Sequence, residues 1–130
     1  MKYEAYKDLE RDRVGDLMHR CGVFWAFSNK QFEENRTPLE EGDKYVSIGA
    51  GGYLPKSKLQ EFQSGMDAIS DWTTEAAQQL DAEDAILHEL GNYECFYTGD
   101  IEPAMQVLED MGYSRNQVSK VYRAYAGSYA

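Results

Sequence analysis

Long apolar runs are missing from this chain, and with them the stretch of ~20 residues that a helix needs to cross a bilayer. The segment from Met1 to Asp8 carries acidic residues and no apolar core, so a secretory leader is not expected and a cytoplasmic location is. Cysteine is scarce: Cys21 and Cys95 stand alone, too few for a disulfide framework, and both are expected as buried thiols. The histidines are two. His19 with Cys21, and His88 with Cys95, do not give the doubled, closely spaced ligand pairs of a zinc site, so neither a metal nor a cofactor is expected. Basic charge is in deficit, 13 Lys and Arg against 23 Asp and Glu, a net charge of −10. That balance opposes non-specific adhesion to nucleic acid or to anionic membranes, which carry the same sign. A nucleophile elbow and a zinc-protease helix are also missing. No internal repeat or low-complexity linker divides the 130 residues, which are expected to form one α+β domain over 1–130 that hides roughly two-thirds of its unfolded surface.

What the chain has is tyrosine, ten in all. Its ring and hydroxyl suit half-buried surfaces and interfaces. The apolar residues Tyr6, Leu9, Val14, Leu17 and Met18 recur at helical intervals from Tyr3 to Cys21, with Gly22 placed to end the helix. Val23 to Phe27 is aromatic and apolar throughout, as a strand buried on both faces would be. Ser28 with Gln31 is a capping box opening a short helix that carries Phe32 inward. Tyr45 to Ile48 and Tyr53-Leu54 flank Gly49, Ala50, Gly51 and Gly52 as the two arms of a hairpin. A second capping box, Ser57 with Gln60, opens the longest helix, Lys58 to about Leu80, whose Leu59, Phe62, Met66, Ile69 and Trp72 form one stripe. Asp81 caps a helix from Ala82 to Leu90, and Tyr93 to Thr98 reads as a short strand or extended link. Asp100 caps a helix that ends at Gly112, and Ser114 with Gln117 opens the last one, Arg115 to about Tyr125. The expected architecture is a small, mostly antiparallel sheet of about three strands, packed against several helices, with a helical C-terminus.

Three constellations carry chemical meaning. The glycine loop before Lys56, Ser57 and Lys58 resembles a phosphate cradle, in which free N–H groups at a helix start converge on an anion. A P-loop, however, needs glycine just before the Lys-Ser pair, where this chain has Pro55. A small enzyme or nucleotide-binding protein using residues 49–58 is therefore a subordinate reading. The segment 100–125 has the apolar, turn and cap positions of a helix-turn-helix, with Arg115, Asn116, Gln117, Lys120 and Arg123 as nucleic-acid-contacting residues. Leu108 stands where that motif prefers a small residue. The acidic clusters Glu33, Glu34, Glu40, Glu41, Asp43 and Asp81, Glu83, Asp84, Glu89 are either solvated faces or a surface for a basic partner.

The segments Phe24 to Phe32, Ser47 to Tyr53 with Lys56, and Glu89 to Cys95 followed by Tyr97 to Asp100 carry a further likeness. Together they resemble an uncharacterised family of small proteins from bacteria and their phages or mobile elements. Its pattern reads F-x-A-F-S-N-x-Q-F, then Y-S-I-G-A-G-G, then E-L-x-N-x-E-Y, and spans roughly residues 23 to 105. At Tyr93 the pattern would have histidine. The resemblance implies no particular reaction. The leading expectation is a small acidic protein that binds a protein partner, itself basic or nucleic-acid-handling, and modulates or inhibits it in phage, mobile-element or anti-defence biology. Its binding surface is expected at Trp25, Ser28, Gln31, Gly49, Gly51, Gly52, Tyr53, Lys56, Glu89 and Glu94. A DNA-binding regulator built on residues 100–125 is the alternative. Direct nucleic-acid binding and membrane association are not expected under the leading reading.

Overall fold

The computed structural model describes residues 1–129. Among them are seven α-helices and one three-stranded antiparallel sheet of order β1-β3-β2, so the protein is α+β. The chain forms two compact units: Leu9–Thr73, and Met1–Asp8 together with the chain from Thr74 onward.

The sheet belongs to the first unit. Helix α1 (Tyr3–Arg20) enters this unit at Leu9 and ends at Gly22. There the Gly22 and Val23 amides bond back to the His19 and Met18 carbonyls at 3.2 and 2.9 Å, the paired bonds of a left-handed helix stop. β1 is only Phe24–Trp25, followed by α2 (Asn29–Asn35), β2 (Tyr45–Gly49), β3 (Gly52–Pro55), a 3-10 turn (Lys56–Lys58) and α3 (Leu59–Ala77). Phe24 pairs with Tyr53 and Trp25 with Gly52, while Val46 faces Leu54 across the hairpin. Alternation along the strands gives the sheet two apolar faces. Leu54, Val46 and Ile48 join Leu17 and Cys21 of the α1 end and Phe62, Met66 and Ile69 of α3. Burying Leu54 completely stabilises the unit by about 2–3 kcal/mol. On the opposite face Phe24, Tyr45 and Tyr53 meet Phe32 of α2, with ring centroids 5.0–5.7 Å apart.

The second unit is helical. α4 (Ala82–Asn92), α5 (Cys95–Thr98), α6 (Glu102–Asp110) and α7 (Arg115–Tyr125) enclose Ile86, Leu90, Cys95, Met105, Leu108 and Val118. The first turn of α1 contributes Tyr3 and Tyr6, both buried.

Several local expectations are corrected. β1 is an edge strand of two residues, with Trp25 and Phe27 exposed rather than buried. Leu9, expected on the apolar stripe of α1, is 41 % exposed. Ser57 does not cap α3, because its hydroxyl donates to Asp43 at 2.6 Å. Tyr93 to Thr98 is neither strand nor extended link: it contains the one-turn helix α5, pinned by fully buried Cys95. Asp100 lies one residue outside the cap of α6, which is Ile101, and accepts from the Glu102 amide at 3.0 Å.

Candidate functional site

The glycine tip and the 24–32 segment come together as one surface. The Ala26 amide donates to the Gly51 carbonyl at 2.9 Å, extending the β1–β3 pairing by one bond. Trp25 closes β1, and Phe27 lies in the bend that follows it. Each lies on a glycine. A Cβ at Gly52 would stand 2.8 Å from Trp25 Cζ3 and 2.9 Å from Ile48 Cγ1, and one at Gly51 would overlap the Phe27 ring. Gly51 is also at φ +82°, the left-handed region. Two aromatic rings are thus seated on bare backbone, yet Phe27 is 75 % exposed and Trp25 40 %.

The backbone beneath them is well held. Ser28 caps α2 by accepting from the Gln31 amide at 3.1 Å, while the Gln31 side chain returns to accept from the Phe27 amide at 2.8 Å. Asn35 Nδ2 donates to the outward-facing Trp25 carbonyl at 2.9 Å, covering the open edge of β1. Beside Phe27 a hollow of ≈280 Å³ is bounded by Ala26, Ser28, Asn29, Phe32 and Tyr53. Ser28, Gln31 and Tyr53 gather on the Phe32 side of this strand end, and Trp25 lies over Gly52 on the Ile48 side, with Gly49 at the hairpin bulge.

Lys56 stands at the far end of β3 in the 3-10 turn. The anion position there is already taken by the protein's own carboxylate. Asp43 accepts from the Ser57 amide at 3.2 Å, the Ser57 hydroxyl, and the Lys44 amide at 2.8 Å. The Ser57 hydroxyl is the main reason its pKa lies below the usual carboxylate range. An internal carboxylate on these donors leaves a phosphate none of them.

In the helical unit the predicted acidic residues have separate fates. Glu89, expected on the surface, is 5 % exposed. It accepts from the Tyr3 hydroxyl and from Asn92 Nδ2, the latter at 3.5 Å. Asp84 accepts from the Tyr3 amide at 2.8 Å and pairs with His88 at 3.7 Å. Asp81 caps α4 and pairs with Lys2 at 3.4 Å, and Glu83 accepts from the Tyr125 hydroxyl. This acidic cluster is largely consumed in fastening the chain start to α4. In the sheet unit Glu33 and Glu34 pair with Arg36 and Lys30 along α2.

Glu94 differs from all of these. It is exposed, its carboxylate joins no ion pair or side-chain hydrogen bond among the described residues, and its backbone sits at φ +56°. For a residue with a Cβ that conformation costs about 1–2 kcal/mol. Glu94 borders an apolar cleft of ≈340 Å³ with Gly91, Phe96 and Tyr97. The one-turn helix that makes this cleft has no sequence period to betray it.

The C-terminal pair does form two helices about a tight turn. Ser114 caps α7 by accepting from the Gln117 amide at 3.1 Å, and Gly112 at φ +93° closes α6. Asn116, Gln117, Lys120 and Arg123 are exposed. Arg115 is not free: both of its terminal nitrogens donate to Glu102, the Nη2–Oε2 bond at 2.9 Å. That pairing raises the Arg115 pKa and lowers that of Glu102. Leu108 is fully buried in the core against α4 and α7. Cys21 and Cys95 are buried free thiols whose pKa values are raised chiefly by burial. Among the described residues no group of three or more His, Cys, Asp or Glu side chains is placed to hold a metal ion, and no helix is long and apolar enough to cross a membrane.

No curated protein and no solved structure matches the chain. A family of unknown function, DUF7659, matches residues 5–128. The chain belongs to that family.

Proposed function

We propose that this family member works by binding a basic partner protein through the Trp25–Phe27 platform. In this reading it modulates or inhibits a nucleic-acid-handling partner in the cytoplasm, within phage or mobile-element biology. One observation carries the proposal: two large aromatic side chains are exposed and yet lie directly over the Gly51 and Gly52 backbone. Aromatic anchors dominate binding energy at protein interfaces. Anchors ordered before binding avoid much of the entropy cost of association. The net charge of −10 favours encounter with a basic surface.

The test is capture by the wild-type chain against Phe27→Ala and Phe27→Ser. Wild type is expected to retain a basic protein that both variants lose, with unchanged thermal melting. Equal retention by all three contradicts the reading. A second reading rests on the exposed face of α7, where Asn116, Gln117, Lys120 and Arg123 lie in a segment without acidic residues. If wild type shifts duplex DNA at physiological salt and Lys120→Ala and Arg123→Ala abolish the shift, the C-terminal pair is the working surface.

A further inference from the structure

The geometry around Glu94 points to a second site, separate from the aromatic platform: we propose that the cleft bounded by Gly91, Glu94, Phe96 and Tyr97 receives an arginine side chain from a partner protein. The walls are set by the fold. Cys95 is wholly buried and pins α5 to the core. Phe96 stacks on Tyr122, centroids 5.2 Å apart and planes 15° from parallel, so one wall is fixed. Tyr97 projects from the same turn and is 90 % exposed. At Gly91 nothing lies within 4 Å of where a Cβ would be, which leaves that side of the cleft open.

Into this apolar cleft the chain brings one carboxylate. Left-handed positions at Gly22, Gly99 and Gly112 are glycines, which take that conformation without steric penalty. Among the described residues Ala50 at φ +51° and Glu94 at φ +56° are the non-glycine exceptions, and of the two Glu94 carries a charged side chain. The fold makes no use of its carboxylate among the described residues. A carboxylate-bearing residue bordering a cleft that Phe96 and Tyr97 also line suits a cation with flat faces. A guanidinium stacks on the rings and forks onto the carboxylate, whereas an ammonium is a compact and strongly hydrated charge. The ≈340 Å³ volume accommodates such a side chain without opening the core.

The test uses the full chain and blocked hexa-arginine, hexa-lysine and hexa-citrulline peptides, titrated calorimetrically at physiological salt. Hexa-arginine is expected to bind, hexa-lysine at least about fivefold more weakly, and hexa-citrulline not at all. Glu94→Gln and Tyr97→Ala are each expected to weaken hexa-arginine binding at least about tenfold. Glu41→Gln, an equal change of charge in the other unit, should alter it by less than about twofold. Glu94→Gly separates strain from recognition: its melting temperature should rise while peptide binding is lost. Phe27→Ala should leave peptide binding unchanged, so this site and the platform stand or fall apart. Equal effects of Glu94→Gln and Glu41→Gln, or hexa-lysine matching hexa-arginine, would show diffuse charge attraction and overturn the proposal.

Discussion

Tyr3 and Glu89 show how far the acidity of this chain is turned inward. A buried carboxylate is tolerated only when its oxygens are bonded, and here the Tyr3 hydroxyl is the main donor, with Asn92 at 3.5 Å. Tyr3→Phe removes that donor without changing packing, and is expected to cost about 1–3 kcal/mol, read from urea unfolding. Tyr113 predicts the opposite sign. Its hydroxyl is buried with no hydrogen-bond partner, and burial, then the nearby Asp81, raises its pKa. Tyr113→Phe removes an unsatisfied polar group, so melting should stay level or rise. A fall in melting temperature would mean that the hydroxyl has a partner after all.

Among the elements, the sequence was informative wherever the deciding contact is local. Ser28, Asp81 and Ser114 each accept from an amide three residues on, at 3.1, 3.3 and 3.1 Å, and that spacing is visible in the chain itself. Ser57 carries the same signature and fails, because Asp43, fourteen residues away in the chain, takes its hydroxyl. The hairpin was legible from its glycines and flanking β-formers. The brevity of β1 was not, since it depends on where Trp25 and Phe27 find room. Nor was α5, whose single turn is held by the burial of Cys95 and whose preceding residue adopts a conformation the residue type does not announce. The hairpin tip supplies the test at this scale. Gly51→Ala forces a Cβ into the Phe27 ring at φ +82°. It is expected to destabilise by about 1–2 kcal/mol, and combining it with Phe27→Ala should restore the steric part. Additive losses in denaturant midpoints would contradict the seat described for Phe27.

For the molecule as a whole, pH exposes which carboxylates the fold uses. Asp43, Asp81 and Glu102 have pKa values below the ordinary 3.8 and 4.5, led respectively by the Ser57 hydroxyl, the Asp84 amide and the Arg115 guanidinium. A carboxylate with a depressed folded-state pKa stabilises above its unfolded value, and that contribution is lost as pH falls through the folded value. Unpaired acids act the other way, since protonating them relieves the repulsion of a −10 chain. Melting temperature should therefore hold or rise slightly from neutral pH to about pH 5, then fall below about pH 4. Asp43→Asn should flatten the acid limb. A monotonic rise toward acid would show that repulsion outweighs these bonds.

The central claim is that exposed, pre-seated aromatic rings form a partner-binding surface, and it is tested most directly by titrating the captured basic partner against wild type and Phe27→Ala. The account predicts at least about tenfold weaker binding, ~1.4 kcal/mol, for Phe27→Ala, with its thermal melting unchanged. Equal affinities would contradict it.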